Sequence, residues 1–401
     1  MNRHYDAIVV GARCAGSPTA MLLARRGYRV LLVDRATFPS DTISTLLITP
    51  PGVAALQRWG LLEAVVATGC PPIEQYSFDF GPVVIAGTPH PWNGISTLYA
   101  PRRTLLDKIL LDAAARAGAE VRERFAVDQV VIEGGAVVGV RGHGPGGRPV
   151  TERARVVVGA SGENSIVARA VGAPRHHDRP VLQSAFYTYW SGLPVDRVET
   201  VVRSDRGYAA IPTNDGLTLV LCGCPQVQAR EFRRDIEANY LAAIERAPDL
   251  AARLRGATRE DRFYAGGVPN FFRTPFGPGW ALVGDAGYSK DPITAQGISD
   301  AFRSAELCAT ALDDVFAGRR SFAEAMTDYQ RHRDTESLPI YEFTTQLATL
   351  EPPPPEMQQL TAAMAGNQRA MDAFVSVFAG TLAPTDFFDP ANLSHLLAAA
   401  A

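Results

Sequence analysis

The chain has 401 residues, 46% of them hydrophobic and 20% charged, which is enough apolar material for a sizeable core in one large or two ordinary domains. A formal net charge of −3 leaves no basic surplus for phosphates, which sets nucleic acid aside as a main partner. No run of about 18 uninterrupted apolar residues occurs, so no membrane span is expected and the protein reads as cytoplasmic. Cys14, Cys70, Cys222, Cys224 and Cys308 are odd in number and lack zinc-site spacing, so reduced and mostly buried thiols are expected. Lysine occurs only at Lys108 and Lys290, while arginine and alanine abound, a bias that fits a GC-rich bacterial genome.

In chain order, Tyr5–Val10 reads as a short buried strand running into a glycine-bearing turn, Gly11–Gly16. Ser17–Arg26 favours a helix ended by Gly27, and Arg29–Val33 a second strand closing on Asp34, which completes a βαβ unit. A helix is expected from Pro50 to Trp59. The proline- and aromatic-bearing segment Cys70–Leu98 lacks helical periodicity and should leave the first domain. Leu105, Leu106, Ile109, Leu110 and Ala113 then stripe a helix over Arg103–Ala117. Val127–Ile132 and Ala136–Arg141 pair as a hairpin, and Arg155–Val158 is another buried strand.

Beyond these, Val181–Pro194, Thr200–Ser204 and Leu217–Cys224 point to a second, mostly antiparallel sheet. Phe186, Tyr187, Tyr189 and Trp190 would fall on both of its faces, leaving only some of them free to line a pocket. Arg230–Arg255 reads as helical, Trp280–Val283 as a strand, Ile298–Phe316 and Phe322–Asp334 as helices, and the tail as helical with a stiff break at Pro352–Pro355. His176 and His177 have no partner at metal-ligand spacing. The expected fold is α/β: a Rossmann-like domain of 1–70, 99–175 and 268–340, interleaved with a mostly antiparallel β-sheet substrate domain of 71–98 and 176–267, then a helical C-terminal region, 341–401.

Two motifs carry chemistry. GARCAG, Gly11-Ala12-Arg13-Cys14-Ala15-Gly16, sits where a strand becomes a helix; its end glycines allow a tight turn and close helix–strand packing, and the helix start can receive a pyrophosphate. Asp34 ends the next strand, where a carboxylate can accept from ribose hydroxyls. The usual middle glycine is replaced by Arg13, whose side chain must turn away or place its guanidinium on the pyrophosphate. The plainer alternative is a glycine turn without a ligand. In GDAGYSKDPITAQGIS, Gly284–Ser299, Asp285 at a strand end can accept ribityl hydroxyls, and Gly297 and its neighbours offer N–H groups at a helix start. The plainer alternative there is an N-capped strand–turn–helix. Lys290 and Asp291 are either a charged pair beside a cofactor or a solvated turn.

Together the motifs resemble the flavoprotein family of the p-hydroxybenzoate hydroxylase type, which also includes geranylgeranyl reductases and flavin-dependent halogenases; the resemblance covers roughly residues 1–340. It implies FAD, with Gly11 to Gly16 on the pyrophosphate, Asp34 at the adenosine ribose, Asp285 at the ribityl chain and the Val127 backbone at the adenine, and Arg35, next to Asp34, among the cofactor-binding residues. Arg103, heading R-x-x-L-D, resembles the family arginine that reaches FAD. Pro292 and Ala295-Gln296-Gly297, followed by Ile298, resemble P-x-x-G-Q-G with alanine at its first glycine. Gly159–Gly172 is similar to G-A-D-G-x-x-S-x-V-R, with Ser161 in place of the aspartate.

What the resemblance implies is a monooxygenase: NAD(P)H as a transient reductant, O₂ as co-substrate, and an aromatic or other electron-rich small molecule as acceptor. The alternatives are a flavin-dependent reductase or dehydrogenase acting on a carbon–carbon bond, and a nucleotide-binding protein without turnover. Halogenation is disfavoured because YTYWSGLP, Tyr187–Pro194, does not match W-x-W-x-I-P. No second glycine-rich strand–helix unit is found, and GPGGRP at Gly144–Pro149 belongs to a hairpin-like loop.

Overall fold

Ala7 and Val9 point to one face of the strand His4–Val10 and Ile8 and Val10 to the other, and all four are buried. Such a strand must be covered on both faces, which a central place in a parallel sheet provides. In the computed structural model, which describes residues 4–398, His4–Val10 lies between Val30–Val33 and Pro149–Gly159, parallel to both. Glu120–Arg122 extends the parallel sheet beyond Val30–Val33, and Trp280–Leu282 extends it beyond Pro149–Gly159. The hairpin Ala126–Glu133/Ala136–His143 pairs with the first, more polar half of Pro149–Gly159. That half is why the strand is longer than the apolar run at Arg155–Val158.

Helices Gly16–Arg25, Arg103–Arg116 and Gly297–Phe316 cover the Ala7/Val9 face through Met21, Leu23, Leu106, Leu110, Phe302 and Leu312. Tyr5, Ile8, Leu31 and Val33 on the opposite face meet Val137 and Val140 of the hairpin and Val167 of the short helix Ile166–Ala170. The fold is therefore α/β.

Cys70–Leu98 supplies two strands, Tyr76–Asp79 and Val84–Gly87, to a second sheet. Its other members are Val198–Arg203, Arg206–Pro212, Thr218–Pro225, Gln183–Ser191, Thr258–Arg259 and Tyr264–Gly266, and all its pairings are antiparallel except Tyr76–Asp79 with Val198–Arg203. Phe186, Trp190, Cys222 and Cys224 face short helices between residues 229 and 254, whereas Tyr187, Tyr189 and Leu219 face Phe374 and Phe378 of the helix Gln368–Phe378. The five cysteines are buried free thiols.

Some elements depart from the sequence-based expectation. Arg230–Arg255 breaks into Ala229–Phe232, Ile236–Ile244 and Pro248–Leu254, because Asp235 caps the second helix through Ala238 N and Pro248 starts the third. Phe322–Leu347 continues as one helix through Pro339, past both Asp334 and residue 340. A third, three-stranded sheet of Arg175–Arg179, Asn270–Arg273 and Tyr288–Ser289 was not anticipated. Among the described residues, no helix is long and apolar enough to cross a membrane.

Candidate cofactor-binding site

Because Val30–Val33, His4–Val10, Pro149–Gly159 and Trp280–Leu282 run parallel, the residues that follow each of them emerge at one edge of the sheet. Those residues are Asp34, the glycine loop, Ala160–Glu163 and Gly284-Asp285. Ligands of open parallel sheets bind at this carboxyl edge.

The glycine loop is shaped by crowding. Gly11 has φ +110° and a Cβ there would lie 2.5 Å from the Ala160 carbonyl oxygen, while one on Gly16 would lie 1.7 Å from the Gly11 oxygen. No larger residue fits at either place. Helix Gly16–Arg25 has no side-chain cap, and the N–H groups of Cys14, Ala15 and Gly16 make no hydrogen bond among the described residues. Such unpaired donors, at the positive end of the helix dipole, suit an anion. Asp34 accepts from Ala12 N and from Ala36 N, each at 2.8 Å, so its carboxylate braces the loop and keeps lone pairs free for hydroxyls. Phe125 N donates to Asp34 O at 2.8 Å, which brings the hairpin strand opening at Ala126 and Val127 beside this strand end. Arg35 is exposed next to it.

Of the two options for Arg13, the side chain takes the one that turns away. Its guanidinium lies 2.5 Å from Asp107 Oδ2 and bonds Ser40 Oγ at 2.9 Å. Asp107 also accepts from Arg103 Nε and Nη2 at 3.1 and 2.9 Å, and from the Cys14 thiol at 3.4 Å. Two guanidiniums share one fully buried carboxylate, which leaves a positive surplus beside the loop. Sequence reasoning gives Asp107 no organising role; its signals are its place as the aspartate of R-x-x-L-D and the i, i+4 spacing from Arg103.

Asp285 is exposed at the sheet edge and lines a small space shared with Lys290, Asp300 and Arg303. Its pKa is raised to about 6, by burial first, with Asp300 and Glu163 adding to the rise and Arg103 and Lys290 opposing it. Gly297 begins the twenty-residue helix Gly297–Phe316, which has no side-chain cap, and open space lies where its Cβ would be. Ala295, where the family carries glycine, has φ +53° and is thus left-handed, at a cost of about 1–2 kcal/mol.

Lys290 and Asp291 are neither a pair nor a solvated turn. Lys290 is 4% exposed at its side chain and salt-bridges Asp300, while Asp291, 1% exposed, accepts from Gln183 Nε2 at 2.5 Å and Ile293 N at 3.0 Å and caps the turn Pro292–Thr294. Gln296 is not brought to the sheet edge by its side chain: its amide donates to Val377 O and Phe378 O at 3.1 and 2.9 Å. Ile298 is buried among the helices of the first core. His176 and His177 lie half-exposed against Phe272.

Residues 4–338 match the family model of the FAD binding domain. The chain belongs to this FAD-binding family. It is similar to tryptophan 2-halogenase of Chondromyces crocatus, with 29% identity over 340 residues, covering 81% of this chain and 64% of that protein. It is equally similar to 6-methylpretetramide 4-monooxygenase of Streptomyces rimosus, 29% identical over 357 residues, 82% of this chain and 83% of that one. The solved structure of the myxobacterial chondrochloren halogenase superposes with a TM-score of 0.81 at 27% identity over 99% of this chain and 97% of that chain. Halogenases thus stand among the relatives of this FAD-binding chain although YTYWSGLP departs from W-x-W-x-I-P, and that text alone does not divide it from them.

Proposed function

We propose that this chain is an FAD-dependent monooxygenase that uses NAD(P)H and O₂ to oxygenate an aromatic or other electron-rich small molecule. The observation that supports this reading is that the glycine loop, Asp34, Ala160–Glu163 and Gly284-Asp285 emerge together at the carboxyl edge of one parallel sheet, a single edge suited to one resident dinucleotide. NAD(P)H then visits and leaves. The uncapped start of Gly16–Arg25 holds the pyrophosphate, supported by the surplus charge of Arg13, Arg103 and Asp107; Asp34 holds the adenosine ribose and Asp285 a ribityl hydroxyl. Bound FAD supplies the redox and oxygen chemistry. The chain supplies orientation and dryness. Gly297 presents free N–H groups at a helix start, and the Tyr187/Tyr189 face of the second sheet, closed over by the C-terminal helices, excludes water.

A second reading, halogenation, is favoured by the likeness to the chondrochloren halogenase over nearly the full chain. Supplying the purified protein with FAD, NADH or NADPH, labelled oxygen and bromide, with a panel of phenols, separates them. Label in the product establishes monooxygenation. Bromine in the product establishes halogenation, and equal turnover without oxygen moves the assignment to a reductase.

A further inference from the structure

The parallel ladder between Pro149–Gly159 and Trp280–Leu282 ends with Val283 N donating to Gly159 O at 3.0 Å. Beyond that bond the two chains part as loops, residues 160–163 on one side and 284–287 on the other, both at the carboxyl edge of the sheet. Among the described residues no backbone hydrogen bond joins these loops. The bridge between them is one side chain. Arg273, the last residue of the third-sheet strand Asn270–Arg273, donates from Nη1 to Ala286 O at 2.8 Å and from Nη2 to Glu163 O at 3.1 Å. Arg273 is 5% exposed and salt-bridges no carboxylate among the described residues. A buried charge without a counter-ion is costly unless hydrogen bonds satisfy it. The two carbonyls do so, and the guanidinium also lies 4.3 Å from the centre of the Phe271 ring. The backbone of Arg273 is fixed in turn. Its N–H donates to Gly287 O at 2.8 Å, and Arg333, 2% exposed, donates to Gly287 O at 3.0 Å and to Arg273 O at 2.9 Å. The carbonyls of Ala286 and Gly287, which directly follow Asp285, are thus both held.

We infer that Arg273 is a positioning residue for the cofactor: spanning the two loops where the ladder stops, it sets the gap between them and so the placement of Asp285 against FAD. The inference rests on the reading of Asp285 as an FAD ligand. A buried arginine can be satisfied by a nearby carboxylate, whereas this one commits both arms of its fork to the main chain of two loops that leave neighbouring strands on the same side. A planar, rigid fork suits that task, because one group fixes two acceptors at a set spacing. A lysine in its place keeps the charge but ends in a single ammonium on a flexible stem, and holds at most one of the two carbonyls at that spacing.

The test is titration of the folded apoprotein with FAD, followed by flavin fluorescence, together with the absorption spectrum of the bound flavin and the melting temperature of each apoprotein. Arg273→Lys is expected to weaken FAD binding about tenfold, the size of one hydrogen bond to a charged group, and to shift the bands of the bound flavin. Arg273→Met, which leaves both carbonyls without their donor, is expected to weaken it further; should that variant fail to fold, Arg273→Lys decides alone. A lower melting temperature for Arg273→Lys with wild-type affinity and a wild-type flavin spectrum marks a purely structural staple and overturns the inference. Asp285→Ala is measured alongside. If it binds FAD weakly while Arg273→Lys binds as wild type, the role given to Arg273 is what fails; if Asp285→Ala itself binds as tightly as wild type, the reading of Asp285 fails, and the inference with it.

Discussion

The backbone of Gly284 approaches Ala15 so closely that a Cβ on residue 284 would stand 2.7 Å from the Ala15 Cβ. The two motifs, 269 positions apart from Ala15 to Gly284 in a chain of 401, are thus in direct contact. Gly284 also has φ +57°, a left-handed conformation. Gly284→Ala is expected to cost about 2–4 kcal/mol, from strain and overpacking together, and to lower FAD content on purification. Thermal melts and the flavin-to-protein absorbance ratio check both.

Asp107 holds two arginines with one buried carboxylate. Asp107→Asn leaves Arg103, 8% exposed, without a counter-charge, whereas Arg13 can turn to solvent. A loss of about 3–5 kcal/mol is expected in urea unfolding, and most of it should return in Arg103→Met/Asp107→Leu, which removes both charges.

Asp291 has one carboxylate oxygen buried and unpartnered, and burial raises its pKa to about 7. The folded protein then keeps a proton there that the unfolded chain releases near pH 4. This contribution to stability is complete below that pH and is lost as the pH rises through about 7. Asp291→Asn, neutral throughout, is expected to match wild type at pH 4 and to exceed it by about 2–4 kcal/mol at pH 8. Melting temperatures of the two apoproteins across that range decide it.

Gln296→Ala is expected to loosen the C-terminal helix Gln368–Phe378, since Phe378 O loses the Gln296 amide and Val377 O keeps only Gly380 N. Hydrogen exchange should quicken there, with a stability loss of about 1–3 kcal/mol, while the visible flavin spectrum stays unchanged. A changed spectrum with unchanged exchange would return Gln296 to the ring.

How far the sequence carried depended on whether local pattern and distant pairing agreed. The βαβ unit and both motifs were legible because strand, turn and helix lie within one short stretch and each glycine has a steric reason. Arg175–Arg179 was not, because RHHDR holds no apolar residue; it is a strand only through its partner Asn270–Arg273. Arg206–Pro212 likewise depends on neighbours on both sides. The Tyr187/Tyr189 and Phe186/Trp190 faces followed from alternation alone. Side-chain allegiance was less accessible: nothing local says that Lys290 belongs with Asp300, or Gln296 with Val377.

The interleaving of the parallel sheet also bears on how the molecule is made. A ribosome that has released residues 1–270 has delivered the glycine loop, Asp34 and Arg103, but not the strand Trp280–Leu282 or Asp285. The carboxyl edge cannot close around a dinucleotide until nearly three quarters of the polypeptide has emerged, so cofactor capture falls late in synthesis. Until then Val157 and Val158, paired with His4–Val10 on one side, lack their partner strand on the other, and the nascent chain carries an open β edge that a chaperone, or another copy, is free to find.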